Sequence, residues 1–168
     1  MKHEWKKQEK EIYGVKTKPC VVDVPAQKYI IVSGNGNPND EIFSDKVAAL
    51  FSMAYKIKMA YKALAEKSNE ITDYTVYPLE GIWSMASEKE YLVKEELHKG
   101  AFDDEPASFE IMDRYCMEHG YKRMGKEHRE IYLNNANRTE KANLKTTLRY
   151  KVTDIEKLQH TVIKEKRK

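Results

Sequence analysis

Phe43, Val47, Leu50, Ala54, Ile57, Tyr61 and Leu64 recur at alternating spacings of four and three. That pattern draws one apolar stripe down a long helix, with lysines over much of the remaining surface. The stripe reads as core packing rather than as a cofactor box. Asn37 suits the helix cap, Pro38 the first helical position, and Asp40 and Glu41 the positive end of the dipole. A helix over about 41–67 is expected. Its stripe needs a sheet or another helix to cover it.

The flanking segments supply strands. Cys20–Val24 and Lys28–Gly34 read as extended runs, with Pro25 between them, and Tyr74–Gly81 as a strand placed at an edge or bulge by Pro78. Tyr91–Gly100 reads as a further strand. Asp104 and Pro106 open a second helix through Phe109, Met112 and Cys116, and Gly120 closes it as the left-handed residue past its end. Arg129–Leu133 is a short strand. Thr146, Leu148, Tyr150 and Val152 alternate with Lys145, Thr147, Arg149 and Lys151, as in a half-buried strand. Thr153 and Glu156 form a capping box for a last short helix with Ile155, Leu158 and Val162 inward. At the other end, Trp5 and Tyr13 are expected to anchor a charged arm.

The order repeats. Gly36 precedes Asp40-Glu41 by the spacing at which Gly100 precedes Asp104-Glu105, and each Asp-Glu opens a helix that leads to a strand. Thr75-Val76-Tyr77 would match Glu130-Ile131-Tyr132. The expected fold is α+β: a duplicated strand-helix-strand-strand unit, with an antiparallel sheet, helices on one face and a cleft on the other. The first copy covers about 19–86 and the second about 90–152, in a single domain over 1–152 followed by a C-terminal helix and basic tail over 153–168.

Within this frame Glu130 is conspicuous. Strands usually avoid glutamate, and a buried carboxylate is costly unless it is paired or used. Side chains alternate across a strand. With Ile131 and Leu133 toward the helices, Glu130 and Tyr132 face the cleft, and Tyr77 is the counterpart of Tyr132 in the first copy. The alternative is a solvated outer face, with Glu130 paired to a lysine across the strands.

Charge and composition narrow the function classes. Lysine and arginine number 30 against 27 acidic residues, an excess too small to argue for nucleic acid. The terminal KEKRK reads as a solvated tail. No apolar run approaches the roughly 18 residues of a membrane span, and the N-terminus lacks an apolar signal core, so a cytoplasmic protein without membrane or nucleic-acid partners is expected. Cys20 and Cys116 suit reduced, buried thiols. Cys116-x-x-His119 has metal-like spacing without a second ligand pair, and reads as a capped helix end. GNGNP lacks the Lys-Ser/Thr of a phosphate loop and reads as a turn. Neither metal nor cofactor is expected.

The stretches LEGIW, LHKGAFDDEPASFEIMDRYC and HREIYLNNANRTEKANLKTTLRYKV together resemble the GyrI-like small-molecule-binding family. Its C-terminal signature is matched by His128, Glu130, Ile131, Tyr132, Leu133, Arg138, Lys145, Thr146 and Arg149. The resemblance implies the duplicated fold, a cleft between the copies, and a glutamate at the position of Glu130 that faces flat aromatic or cationic ligands. Glu130, Tyr132, Tyr77 and Trp83 are the ligand-binding candidates, and His98 could face the cleft from its strand. Stand-alone relatives usually carry several dozen more residues between the positions of Trp83 and Tyr91, where this chain has only SMASEKE.

Three readings follow. The first is a stand-alone binding protein for flat hydrophobic or cationic small molecules. The second, implied by the resemblance, is a hydrolase that opens the cyclopropane ring of DNA-alkylating natural products. Glu130 would then be the general base, with Tyr132 and Tyr77 as positioning or donor groups. The third is a protein-interaction module of the gyrase-inhibitor kind. The short Trp83–Tyr91 connection leaves a sheet edge to cover, so a homodimer is expected.

Overall fold

A computed structural model describes residues 1–14, 16–36, 40–68, 73–84, 105–135, 139–140 and 143–156. The chain divides into two compact units, one of Met1–Val15 with Val21–Tyr77, the other of Lys16–Cys20 with Pro78–Lys168.

In the first unit, α1 (Trp5–Gln8) and α2 (Lys10–Tyr13) are single helical turns. The anchoring expected of Trp5 and Tyr13 is seen: both are buried, and their rings meet edge to face at 5.5 Å. The Trp5 indole N–H donates to the Val76 carbonyl at 3.0 Å. The backbone of His3 lies parallel to Tyr74, donating to the Asp73 carbonyl and accepting from the Thr75 N–H, each at 2.8 Å. The arm is thus tied by main-chain bonds as well as by apolar burial.

The long helix α3 spans Glu41–Ser68, close to the expected bounds. Asp40 precedes it, and its carbonyl takes the N–H groups of Phe43 and Ser44. Asn37 and Pro38, expected to open it, lie outside the described residues. The stripe is covered at one end only. Phe43, Val47, Leu50 and Ala54 are half-buried, while Ile57, Tyr61 and Leu64 are exposed. The edge of the Tyr61 ring meets Tyr74 at 5.5 Å, and Lys58 pairs with Asp73 at 3.5 Å.

Among the described residues, no strand forms at Cys20–Val24 or Lys28–Gly34, where strands are expected. A strand exists only through ladder bonds to a neighbour, and β-favouring side chains do not supply one. Ile31 is accordingly 75% exposed. The Cys20 thiol is exposed too, against expectation, whereas Cys116 is buried.

The second unit holds the sheets. β1 (Leu79–Trp83), β3 (His128–Tyr132) and β4 (Thr146–Arg149) form an antiparallel sheet in the order β1-β3-β4. Pro78 stands just before β1, where its missing N–H removes no ladder bond. β2 (Tyr121–Arg123) pairs with β5 (Val152–Asp154) in a two-stranded sheet. The single strand expected over 145–152 is therefore split: after Tyr150 the chain leaves β3 and joins β2. Thr153 lies within β5 and is not the cap. The Asp154 carboxylate accepts the Glu156 N–H at 2.9 Å instead, the bond of an aspartate cap to the second helical residue. The helix beyond it lies outside the described residues, as does the strand expected over Tyr91–Gly100.

Helix α4 spans Glu105–Glu118. Gly120 follows with φ +74°, the left-handed residue expected past its end. Phe109, Asp113 and Cys116 lie at helical spacing and meet one partner, Tyr150. Its ring stacks on Phe109 at 6.3 Å, and its hydroxyl donates to Asp113 at 2.7 Å and lies 3.5 Å from the Cys116 sulfur. The Arg123 guanidinium lies over both rings, 4.5 Å from Tyr150 and 5.1 Å from Phe109. At the helix end the His119 ring stacks on Tyr115 at 4.0 Å, and its Nδ1–H donates to the Tyr115 carbonyl at 2.9 Å.

Candidate functional site

β3 is the middle strand of its sheet, bonded along both edges, and its side chains alternate between the two faces. Ile131 is fully buried on one. That face also carries the ion pair of Arg129 with Glu80 of β1, at 2.6 Å. The other face carries His128, Glu130 and Tyr132.

Register places the neighbours of this second face. Leu79 lies opposite Tyr132, Gly81 opposite Glu130, and Trp83 opposite His128, with Leu148 of β4 on the far side of Glu130. The Trp83 indole N–H reaches diagonally to the Tyr132 hydroxyl at 3.2 Å. Trp83 and Tyr132, both expected at the site, are thus joined beside Glu130.

Glu130 is 4% exposed. This overturns the solvated-face alternative, and the partner is not a lysine. His128 Nε2 lies 3.1 Å from Glu130 Oε1. Glu130 Oε2 is also buried and has no hydrogen-bond partner among the described residues. A buried acceptor in that state calls for an explanation, because desolvation without a compensating bond is unfavourable. The edge of the Phe109 ring meets His128 at 5.0 Å. Helix α4 therefore reaches a residue on the same face as Glu130, and the expected separation of helices from that face is incomplete.

His128 was not among the sequence-derived site residues, although the signal was present. A His-x-Glu step within a strand puts both side chains on one face. A histidine bonded to a carboxylate can hold it in place and exchange a proton with it or with a bound water. Among the described residues, no group of three or more His, Cys, Asp or Glu side chains could hold a metal ion.

Tyr77 belongs to the first unit, where its ring stacks near Trp5 at 6.5 Å and meets Tyr13 at 5.6 Å. Its hydroxyl donates to the Glu9 carboxylate, and His3 Nε2 lies 3.1 Å from the hydroxyl and 2.7 Å from Glu9. His98 lies outside the described residues.

Burial raises the Tyr77 phenol above its ordinary range, and the hydrogen bond to Glu9 and the charge of that carboxylate add to the effect. Tyr150 is raised likewise, by burial and then by its contacts with Cys116 and Asp113. Stability from these groups is fully present below the ordinary phenol pKa, about 10. Above it the unfolded chain releases protons that the folded chain retains, so stability falls as pH rises through that window. Denaturant unfolding across this range is expected to show that decline, and Tyr77→Phe and Tyr150→Phe are expected to flatten it. A decline of unchanged steepness in both variants would contradict the assignment.

Residues 97–152 match the model of a family described as the GyrI-like small molecule binding domain. No curated protein matches the chain. Among solved structures, an uncharacterized conserved protein from Listeria innocua is 24% identical, with a TM-score of 0.69 over 90% of this chain and all of its own. Two structures of hydrolases from Listeria innocua are each 23% identical, with TM-scores of 0.71 and 0.69 over 91% and 90% of this chain and the whole of theirs. At these identities the likeness is one of fold. Among the described residues, no helix is long and apolar enough to cross a membrane.

Proposed function

We propose that this chain binds flat, hydrophobic, preferably cationic small molecules, with Trp83 and Tyr132 as the aromatic wall and Glu130 as the acceptor for the ligand's positive or N–H-bearing edge. The observation that carries this reading is the buried Glu130 oxygen with no partner among the described residues, beside a pair of rings joined by a hydrogen bond. A ligand cation gains from the carboxylate and from the ring faces together, and both contributions grow as water is displaced. The family match over residues 97–152, to a small-molecule-binding domain, supports the same reading.

The test is quenching of tryptophan fluorescence by proflavine, a planar aromatic cation. Quenching in the micromolar range in Trp5→Phe, where Trp83 is the one tryptophan, is the expected result. An unquenched Trp83 in that variant would place the ligand elsewhere.

The His128–Glu130 pair favours a second reading, a hydrolase acting in the same place, and two of the similar folds are named as hydrolases. Glu130 would draw a proton from water as its oxygen bonds to a carbon of a strained cyclopropane. The breaking carbon–carbon bond would deliver its electron pair to the conjugated carbonyl, which takes up the proton. His128 would position the carboxylate. Product analysis separates the two readings, since a binding protein returns the ligand unchanged.

A further inference from the structure

Gly81 is the one residue of β1 without a side chain, and it stands directly opposite Glu130. Glycine in a strand interior weakens the strand, and often marks a place where something else approaches the backbone closely. Here the approaching group is the Trp83 indole. A Cβ built on Gly81 would lie 2.7 Å from Trp83 Nε1, 3.2 Å from Trp83 Cε2 and 3.3 Å from the Tyr132 hydroxyl. The first distance is one that real side chains do not tolerate. The indole is rigid and turns only about two bonds, so it cannot yield locally as the end of a lysine would. Gly81 is not among the glycines with positive φ. Its backbone therefore accepts alanine, and the demand for glycine comes from the ring above it.

We propose that Gly81 is a positioning residue for the ligand-binding face. Its missing side chain lets the Trp83 indole lie across β1 and donate to Tyr132, which fixes the aromatic wall beside Glu130. This rests on the binding reading above for its consequence, but the seating of the ring can be measured without any ligand. The chain has two tryptophans, each with an indole N–H bonded to a different acceptor: Trp83 to Tyr132, and Trp5 to the Val76 carbonyl. Each gives its own indole N–H resonance, and the Trp5 signal reports that the fold is intact.

In Gly81→Ala the Trp83 resonance is expected to shift and the Trp5 resonance to stay. The Kd for proflavine is expected to rise about tenfold, the scale of one aromatic stacking interaction. In a Trp83→Phe background, which lacks the indole nitrogen that clashes at 2.7 Å, the same Gly81→Ala change is expected to cost much less affinity than in wild type, because two residues acting through one interaction are not additive. An unmoved Trp83 resonance would overturn the proposal, and so would an equal loss of affinity in both backgrounds. If the wild-type protein binds no planar aromatic compound, the binding reading fails instead, and the resonance comparison alone decides whether Gly81 seats the ring.

Discussion

Glu130→Gln is expected to weaken binding of a planar aromatic cation by about 1–3 kcal/mol, the usual scale for a charge-assisted hydrogen bond. The substitution keeps the shape of the side chain and its ability to accept from His128, and removes only the charge. A neutral ligand of the same outline loses much less, since it is held by the rings. Stability is expected to hold or rise. A desolvated carboxylate with one oxygen unbonded among the described residues is a burden to the fold, and a neutral amide is easier to bury. If the protein is a hydrolase, turnover is abolished while binding of a neutral substrate stays nearly intact. Thermal melting and calorimetric titration of both proteins check these outcomes. A marked fall in melting temperature would instead make the His128–Glu130 contact a structural device.

Ile131→Ala is expected to have the largest effect on stability, a loss of about 2–5 kcal/mol, the range for truncating a fully buried aliphatic side chain. Ile131 is 0% exposed in the middle strand of the sheet. Removing three carbons there leaves a cavity that a strand bonded on both sides cannot readily close. Ile82 on β1 faces the same side but is 60% exposed, so Ile82→Ala serves as the control and should change little. Urea unfolding is the measurement. A shift in midpoint at constant slope for Ile131→Ala, and almost none for Ile82→Ala, is the expected pair. Equal effects would mean that β3 does not carry the core.

The parts of this structure legible in the sequence are those set by local periodicity. The stripe from Phe43 predicts α3, the glycine at 120 predicts the end of α4, and alternation around Ile131 predicts β3. The parts that were not legible depend on distant partners. Nothing local says that Lys28–Gly34 lacks a ladder, or that the alternating run after Lys145 divides between two sheets. Nothing local says that Asp154 rather than Thr153 takes the Glu156 N–H. The site divides the same way. Glu130 stands out because its residue type conflicts with its neighbours, and His128 could have been added from the step of two. The Trp83–Tyr132 bond needs the β1–β3 register, which side-chain patterns leave open. The contacts of Tyr77 with His3, Trp5, Tyr13 and Glu9 depend on the N-terminal arm, which side-chain alternation in its own segment does not predict.

The central claim is that the Glu130 charge is the acceptor for the ligand, and four dissociation constants test it. Proflavine and the neutral N-methylacridone share a flat three-ring core, but only proflavine carries a charge and N–H donors, and each is titrated into wild type and Glu130→Gln. Wild type should prefer the cation by about tenfold or more, and the preference should collapse in the variant while the N-methylacridone constant barely moves. A preference of equal size in both proteins would show that Glu130 does not meet the ligand.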